Sequence, residues 1–312
     1  MKTVVVLLGP TGVGKTGAAI LLAQELNTEI ISADSMQIYR HMDIGTAKPS
    51  EKDRAAVTHH MIDIVDPREA FSAGRYLAGV VPVIEGLLQK GKIPIIVGGT
   101  GLYIKAMTRG LFRGPSSDLA LRSGLLAREA EQKGALHAYL RLLDPEAAGR
   151  IEQNDIRRVI RAIEVCVKSG DTMSSFQKEL TRPLPYNFFK IGLTRERKEL
   201  YTMIDARVDA MLRTGLQEEV KRILATAPDR TPLQAIGYKE IVRYFRHEID
   251  LQEAIRLIKR NSRRYAKRQL TWFRQEEDIH WIDVTGVYES GDLAEKIRPV
   301  LKETLDRGNQ SA

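Results

Sequence analysis

Gly9, Gly14, Lys15 and Thr16 fall in the pattern G-x-x-x-x-G-K-[ST], between the β-branched run Val4 to Leu8 and an Ala/Leu-rich stretch at helical spacing. A phosphate cradle needs that context. The glycines allow backbone conformations and a close approach that a Cβ would block, so successive N–H groups turn inward toward phosphate oxygens. A helix starting near Lys15 adds its unpaired N–H groups and the positive end of its dipole, Lys15 adds a full charge, and the Thr16 hydroxyl suits Mg²⁺. The loop Gly9, Pro10, Thr11, Gly12, Val13, Gly14, Lys15 and Thr16 is therefore expected to hold a diphosphate, with Mg²⁺ as the accompanying metal. Nothing in the loop says what the diphosphate is attached to.

Two more stretches carry chemistry. Glu29 to Ala33 reads as a short strand that delivers Asp34, Ser35, Met36 and Gln37 at its carboxyl end, where doubly wound sheets gather their ligands. Asp34 is thus either a catalytic carboxylate or the cap of the segment that follows. Lys92 to Val97 reads as a buried strand ending in Gly98, Gly99 and Thr100, where a nucleotide-hydrolysing protein usually places an Asp for its metal. Nucleotide hydrolysis is doubtful on that ground. The glycines let a substrate approach the backbone and Thr100 offers a hydroxyl, although a plain glycine turn would give the same letters. His59 and His60 are adjacent and so project in different directions, with no thiol near, and a metal site is not expected there.

The elements that position these residues alternate strand and helix, so the fold class is α/β, with a P-loop NTPase-like parallel sheet core. From RGPSSD (113–118) to TRPLPYN (181–187) the chain reads as helices alone, at Asp118 to Lys133, Ala135 to Leu143 and Asp155 to Lys168. The expected organisation is a first part of the core at 1–114, a helical insertion domain at 115–186, and the rest of the core at 187–312. In the insertion Arg158 and Arg161 share a helix face beside Arg157, either as a solvated surface or as a phosphate contact. In the core, Phe71 to Gln89 reads as a helix broken near Pro82, Phe188 to Leu193 as a strand, Asp250 to Arg274 as a long helix and His280 to Val284 as a last strand. Residues from Asn309 onward read as a disordered tail.

The formal net charge is +8 over 312 residues, with 43% hydrophobic and 28% charged residues. The excess is local: Arg256, Lys259, Arg260, Arg263, Arg264, Lys267, Arg268 and Arg274 lie within 256–274 without one acid, and the rest of the chain is balanced. A stripe at helical spacing points to a polyanionic partner better than a diffuse excess does, because Lys/Arg arrays release counterions from nucleic acid. Tyr265, Trp272 and Phe273 on the same helix fit the core better than base stacking. The single cysteine, Cys166, lies in an apolar run and reads as a structural thiol. No run reaches eighteen apolar residues and the first strand begins at once, so a cytoplasmic protein without a membrane span or leader is expected.

Taken in order, GPTGVGKT, ADSMQIY, HHMIDI, IVGGTGLY, DPEAAGRIEQNDIRRVIRAIEV, AIGYKE and RRYAKRQLTWFR resemble the bacterial tRNA dimethylallyltransferases (tRNA isopentenyltransferases) over nearly the whole chain. The resemblance implies transfer of a five-carbon prenyl group from dimethylallyl diphosphate to N6 of adenosine 37, beside the anticodon of tRNAs that read codons beginning with U. The loop would then hold the diphosphate of an allylic donor. Lys15 would stabilise the departing pyrophosphate, Asp34 would take the N6 proton, and Thr100 would orient the amine or the diphosphate. The same resemblance assigns contacts with the anticodon stem-loop to Asp34, Ser35, Met36, Gln37, Thr100, Arg122, Arg157, Arg158, Val159, Ile160, Arg161, Gln234, Ala235, Ile236, Gly237, Tyr238 and Lys239, to which the basic helix adds Arg263, Arg264 and Lys267. A monomer is expected. Alternatives are a P-loop small-molecule kinase, which leaves the basic stripe unexplained, an RNA-binding protein with an idle nucleotide site, and a prenyltransferase acting on free adenine nucleotides.

Overall fold

The computed structural model describes residues 2–112, 114–179 and 181–310. It separates into two compact units, Met1–Ile104 with Pro185–Ala312, and Lys105–Leu184. In the first unit the chain runs through β1 (Thr3–Leu8), α1 (Lys15–Glu25), β2 (Ile30–Ala33), α2 (Glu51–Ala56), β3 (His59–His60), α3 (Ala73–Gln89), β4 (Ile95–Gly98) and the start of α4 (Gly101–Thr108). The second unit contains α5 (Leu119–Glu131), α6 (Ala135–Leu143), α7 (Pro145–Arg150), α8 (Ile156–Ser169) and α9 (Met173–Glu179). The first unit resumes with β5 (Asn187–Thr194), α10 (Arg197–Arg213), α11 (Leu216–Ala225), a 3-10 turn at Pro232–Gln234, α12 (Tyr238–Phe245), α13 (Leu251–Phe273), β6 (Ile279–Asp283) and α14 (Ser290–Gln310).

The six strands form one sheet in the order β3-β2-β4-β1-β5-β6, all parallel. The central strand β1, TVVVLL, is apolar throughout because helices cover both faces of the sheet, and Val4 to Leu8 are all buried. The register sets Leu8 and Ala33 both beside Gly98, so β1, β2 and β4 end level with one another. From β1 the chain leaves toward β2 on one side of this group, whereas β5 lies on the other. Such a divergence opens a crevice outside the carboxyl ends. Gly9 and Asp34 follow directly on the ends of β1 and β2, and Thr100 stands two residues past the end of β4.

Two apolar clusters hold the unit. One packs α1 and α14 against β1, β4 and β5; the other gathers Ile38, Tyr39, Val208, Leu216, Tyr238 and Ile258 around α10 to α13. In the second unit, Leu136, Leu140, Val159, Ile163 and Val165 make a separate core.

The helical stretch begins inside α4, before residue 115. Leu184 N–H donates to the Met107 carbonyl at 2.9 Å, which ties the two ends of the second unit together there. Helix α3 is continuous through Pro82. Pro82 lies on the solvent face and so does Ala78, whose freed carbonyl can reach water. Helix α14 extends through Asn309 and Gln310, so the expected tail is helical that far; Ser311 and Ala312 lie outside the described residues. Among the described residues, no helix is long and apolar enough to cross a membrane.

Candidate active site

The loop between β1 and α1 takes its shape from glycine. Gly9 and Gly14 have φ of 150° and 104°, and a Cβ on Gly9 would lie 2.7 Å from the Leu193 carbonyl oxygen. Both positions exclude other residues. Helix α1 starts at Lys15 with Gly14 as its N-cap and no side-chain cap, so its first N–H groups face the loop. The Lys15 ammonium donates to the Gly9 and Pro10 carbonyls, each at 2.8 Å. Burial is the main force on this amine, and the nearby Arg207 guanidinium acts with it; the charge of Asp34 opposes them, and the net effect brings Lys15 down to about 7 from 10.5. Thr16 is exposed beside it.

Asp34 shows both roles that its position allows. Its Oδ1 accepts from the Met36 and Gln37 amides at 2.8 and 3.3 Å, closing the turn after β2 as a capping residue would. The side chain is only half-buried, and among the described residues no hydrogen bond engages Oδ2. The β4 turn is laced to the same segment: Thr100 N–H donates to the Ala33 carbonyl at 3.1 Å, and the Thr100 hydroxyl accepts from Ser35 N–H at 3.0 Å. Asp34 and Thr100 therefore stand on adjacent, mutually bonded turns.

Three residues that the sequence did not single out for this site close it from α10 and α13. Arg207, on α10, lies near both Lys15 and Asp34; burial lowers its pKa and the Asp34 charge supports it. Tyr265 hydrogen-bonds Thr100 and Gln269, and burial with the Asp34 charge pushes its phenol up. Gln269 bonds the Thr11 amide and the Gly99 carbonyl. Gln269 had a readable signal, an uncharged polar residue on the helix face that carries the buried Ala266 and Phe273. Arg207 sits one residue before the buried Val208 and offered none.

Other expected contact residues are placed differently. Tyr238 is fully buried and its hydroxyl donates to Glu219 at 2.5 Å, while Glu219 also accepts from the Asp43, Ile44 and Gly45 amides; Tyr238 is a core residue that cannot present its ring to RNA. Ala235 and Gly237 are buried as well, whereas Gln234 is exposed and Ile236 and Lys239 are half-buried. The Gln37 amide accepts from the Ser32 hydroxyl at 3.1 Å and donates weakly to the Thr46 and Ala47 carbonyls, so a base edge would have to compete for it. Ser35 and Met36 are half-buried beside it.

In the second unit Val159 and Ile160 belong to the core, which leaves their side chains unable to touch a ligand. Arg122 and Arg161 converge on the fully buried Glu164, Arg122 through two bonds at 2.8 and 2.7 Å and Arg161 at 2.6 Å. Each keeps about a third of its side chain exposed. Arg157 and Arg158 are exposed.

The α13 stripe is also less uniform than its sequence. Lys259 and Arg263 pair with Asp209 and Asp205 of α10, at 2.6 and 2.5 Å, so the acids missing locally come from a neighbouring helix. Arg263 is therefore an internal brace. Arg256, Arg264, Lys267, Arg268 and Arg274 remain exposed, with Arg256 held by Glu253. Tyr265, Trp272 and Phe273 pack inward, as expected. His59 and His60 bond the Val57 carbonyl and Glu29, and Cys166 is buried. Among the described residues no group of three His, Cys, Asp or Glu could hold a metal. At the loop, the exposed Thr16 hydroxyl could serve as one protein ligand of a divalent metal whose remaining ligands came from outside the chain.

A family profile described as IPP transferase matches residues 37–276. The tRNA dimethylallyltransferase of Thermodesulfovibrio yellowstonii is 50% identical to this chain, covering 98% of it and 99% of the relative. That of Bacillus subtilis is 50% identical over 91% of each chain. The crystal structure of the tRNA isopentenylpyrophosphate transferase of Bacillus halodurans is similar with a TM-score of 0.70 and 41% identity, covering 99% of this chain and 100% of that one. A eukaryotic dimethylallyltransferase crystallised acting on tRNA gives a TM-score of 0.76 at 30% identity, over 92% and 75% of the two chains. The parallel sheet with its glycine loop is common to many activities, but identity sustained at this level from the first strand to the last helix is not, and the chain belongs to the IPP transferase family.

Proposed function

We propose that the protein transfers the dimethylallyl group of dimethylallyl diphosphate to N6 of adenosine 37 in tRNAs that read codons beginning with U, releasing diphosphate. The observation that carries this reading is the level ending of β1, β2 and β4, which sets a diphosphate cradle beside a half-free carboxylate, with glycines in place of a hydrolytic Asp after β4. The tRNA in the names of the relatives supports it over a kinase or an enzyme of free nucleotides.

The reaction forms a bond between N6 and the allylic carbon as the bond from that carbon to the diphosphate oxygen breaks. Negative charge grows on the leaving diphosphate. Lys15, the loop amides and Arg207 meet that charge where it develops. Mg²⁺, held through Thr16 and the diphosphate, would supply further charge neutralisation. Asp34 takes the N6 proton through Oδ2, while Oδ1 stays fixed by the Met36 and Gln37 amides. Thr100, braced by Tyr265 and bonded to Ser35, orients the reacting groups. An adenine stacked in an anticodon loop does not expose N6 to such a site, so the base is flipped into it. Exposed cations of α13 hold the RNA backbone, and the protein acts as a cytoplasmic monomer.

Asp34→Asn tests the assignment. Prenyl transfer should fall by about 10²- to 10⁴-fold while the anticodon stem-loop still binds. Undiminished transfer would remove Asp34 from its role.

A further inference from the structure

Helix α13 carries two kinds of side chain on the same few turns. Arg264, Lys267 and Arg268 are exposed, whereas Tyr265, Gln269 and Trp272 face the carboxyl edge of the sheet. Gln269 is buried, accepts from the Thr11 N–H at 2.8 Å and donates to the Gly99 carbonyl at 2.9 Å. A Cβ on Gly99 would lie 2.2 Å from its amide nitrogen, so the glycine is what admits the side chain. Trp272 covers Gly101 in the same way, where a Cβ would fall 2.4 Å from the ring.

A buried carboxamide must satisfy both of its ends. Here the two ends go to two different loops, one from the diphosphate cradle and one from the turn that carries Thr100. Few side chains could replace it. Glutamate would set an oxygen against the Gly99 carbonyl, lysine and arginine offer no acceptor for the Thr11 amide, and an apolar residue would leave the buried Gly99 carbonyl and the half-buried Thr11 amide without this partner.

We propose that Gln269 is a positioning residue that sets the diphosphate loop against the Thr100 turn and, because it rides on the helix carrying the exposed cations, links RNA engagement to donor affinity. The linkage rests on the proposed function, with donor at the loop and RNA on α13. A rigid helix whose outer side is fixed by a polyanion restricts the loop that its inner side grips. Restricting it in advance lowers the cost of ordering it around a diphosphate.

The test compares the full-length protein with Gln269→Met, which keeps the volume, and Gln269→Glu, which keeps the acceptor for Thr11. Binding of a non-reactive thio analogue of dimethylallyl diphosphate with Mg²⁺ is measured alone and with saturating anticodon stem-loop, together with RNA affinity and Tm. Gln269→Met should bind the analogue about threefold to tenfold more weakly, keep its RNA affinity, and lose the RNA-induced tightening seen in the unsubstituted protein. Gln269→Glu should also lose the tightening, since the bond to Gly99 is gone. Unchanged analogue affinity and tightening in both variants would overturn the inference, as would absence of tightening in the unsubstituted protein. Parallel loss of Tm, RNA affinity and analogue affinity would reduce Gln269 to a structural role and overturn it as well. If the unsubstituted protein does not bind the analogue at all, the proposed function itself fails.

Discussion

The Lys15 amine should make donor binding depend on pH. In the structure this amine stands at about 7, chiefly through burial and then through Arg207, against the pull of Asp34. A diphosphate at the loop brings negative charge that restores a full positive charge on Lys15, so binding takes up a proton wherever the free amine has lost one. With the amine at about 7, roughly half is protonated at pH 7 and about 1% at pH 9, so affinity should fall about 50-fold across that interval. Isothermal titration of the non-reactive donor analogue at pH 8, in buffers of different ionisation enthalpy, should show uptake of about 0.9 proton. Arg207→Gln removes a neighbour that lowers the Lys15 pKa and should move the inflection to higher pH. The sign for the unliganded fold follows from the same shift: the folded value lies below the unfolded one, so stability rises with pH from about 7 toward 10.5 and is lost as pH falls through 7. Affinity that is flat from pH 7 to 9, without proton uptake, would refute this account of Lys15.

Other predictions concern charge outside the loop. Replacing Arg264 and Lys267 together by Ala should weaken stem-loop binding and reduce the slope of log affinity against log salt by about 1.5, with donor affinity measured without RNA unchanged. Adding Arg263→Ala should cost stability instead, because that side chain braces Asp205. At Glu164, burial raises the carboxyl, and the bonds from Arg122, the Asp118 N–H and Arg161 overcome it to bring the group to about 2. Glu164→Gln should then lower stability by about 2–3 kcal/mol, the part-exposed arginines keeping the loss moderate, with a drop in Tm that urea melts would confirm. The contribution of Glu164 should persist above pH 4.5 and fade as pH falls toward 2.

The glycine loop was legible because its signal is local: the spacing of Gly9, Gly14 and Lys15 fixes both the turn and the helix start. Asp34 and Thr100 were legible as strand-end residues, since a parallel sheet gathers those ends. What sequence could not supply is pairing at a distance. Gln269 meets Thr11 across 258 positions, and the acids that neutralise Lys259 and Arg263 sit on α10, so the basic stripe looked more open than it is. Tyr238 lies in a stretch whose glycine, lysine and glutamate suggest a surface, yet Glu219 draws it fully inside. The short helices α7 and α9 escaped notice because six or seven residues give too little periodicity, and tertiary packing makes them.

The most direct measurement is incubation of the protein with isotopically labelled dimethylallyl diphosphate, Mg²⁺ and unmodified tRNA, followed by nucleoside analysis of the RNA. Label should appear on N6 of adenosine 37 without any requirement for ATP, and Asp34→Asn should lose it almost completely. Unlabelled RNA, together with tight ATP binding at the glycine loop, would contradict it.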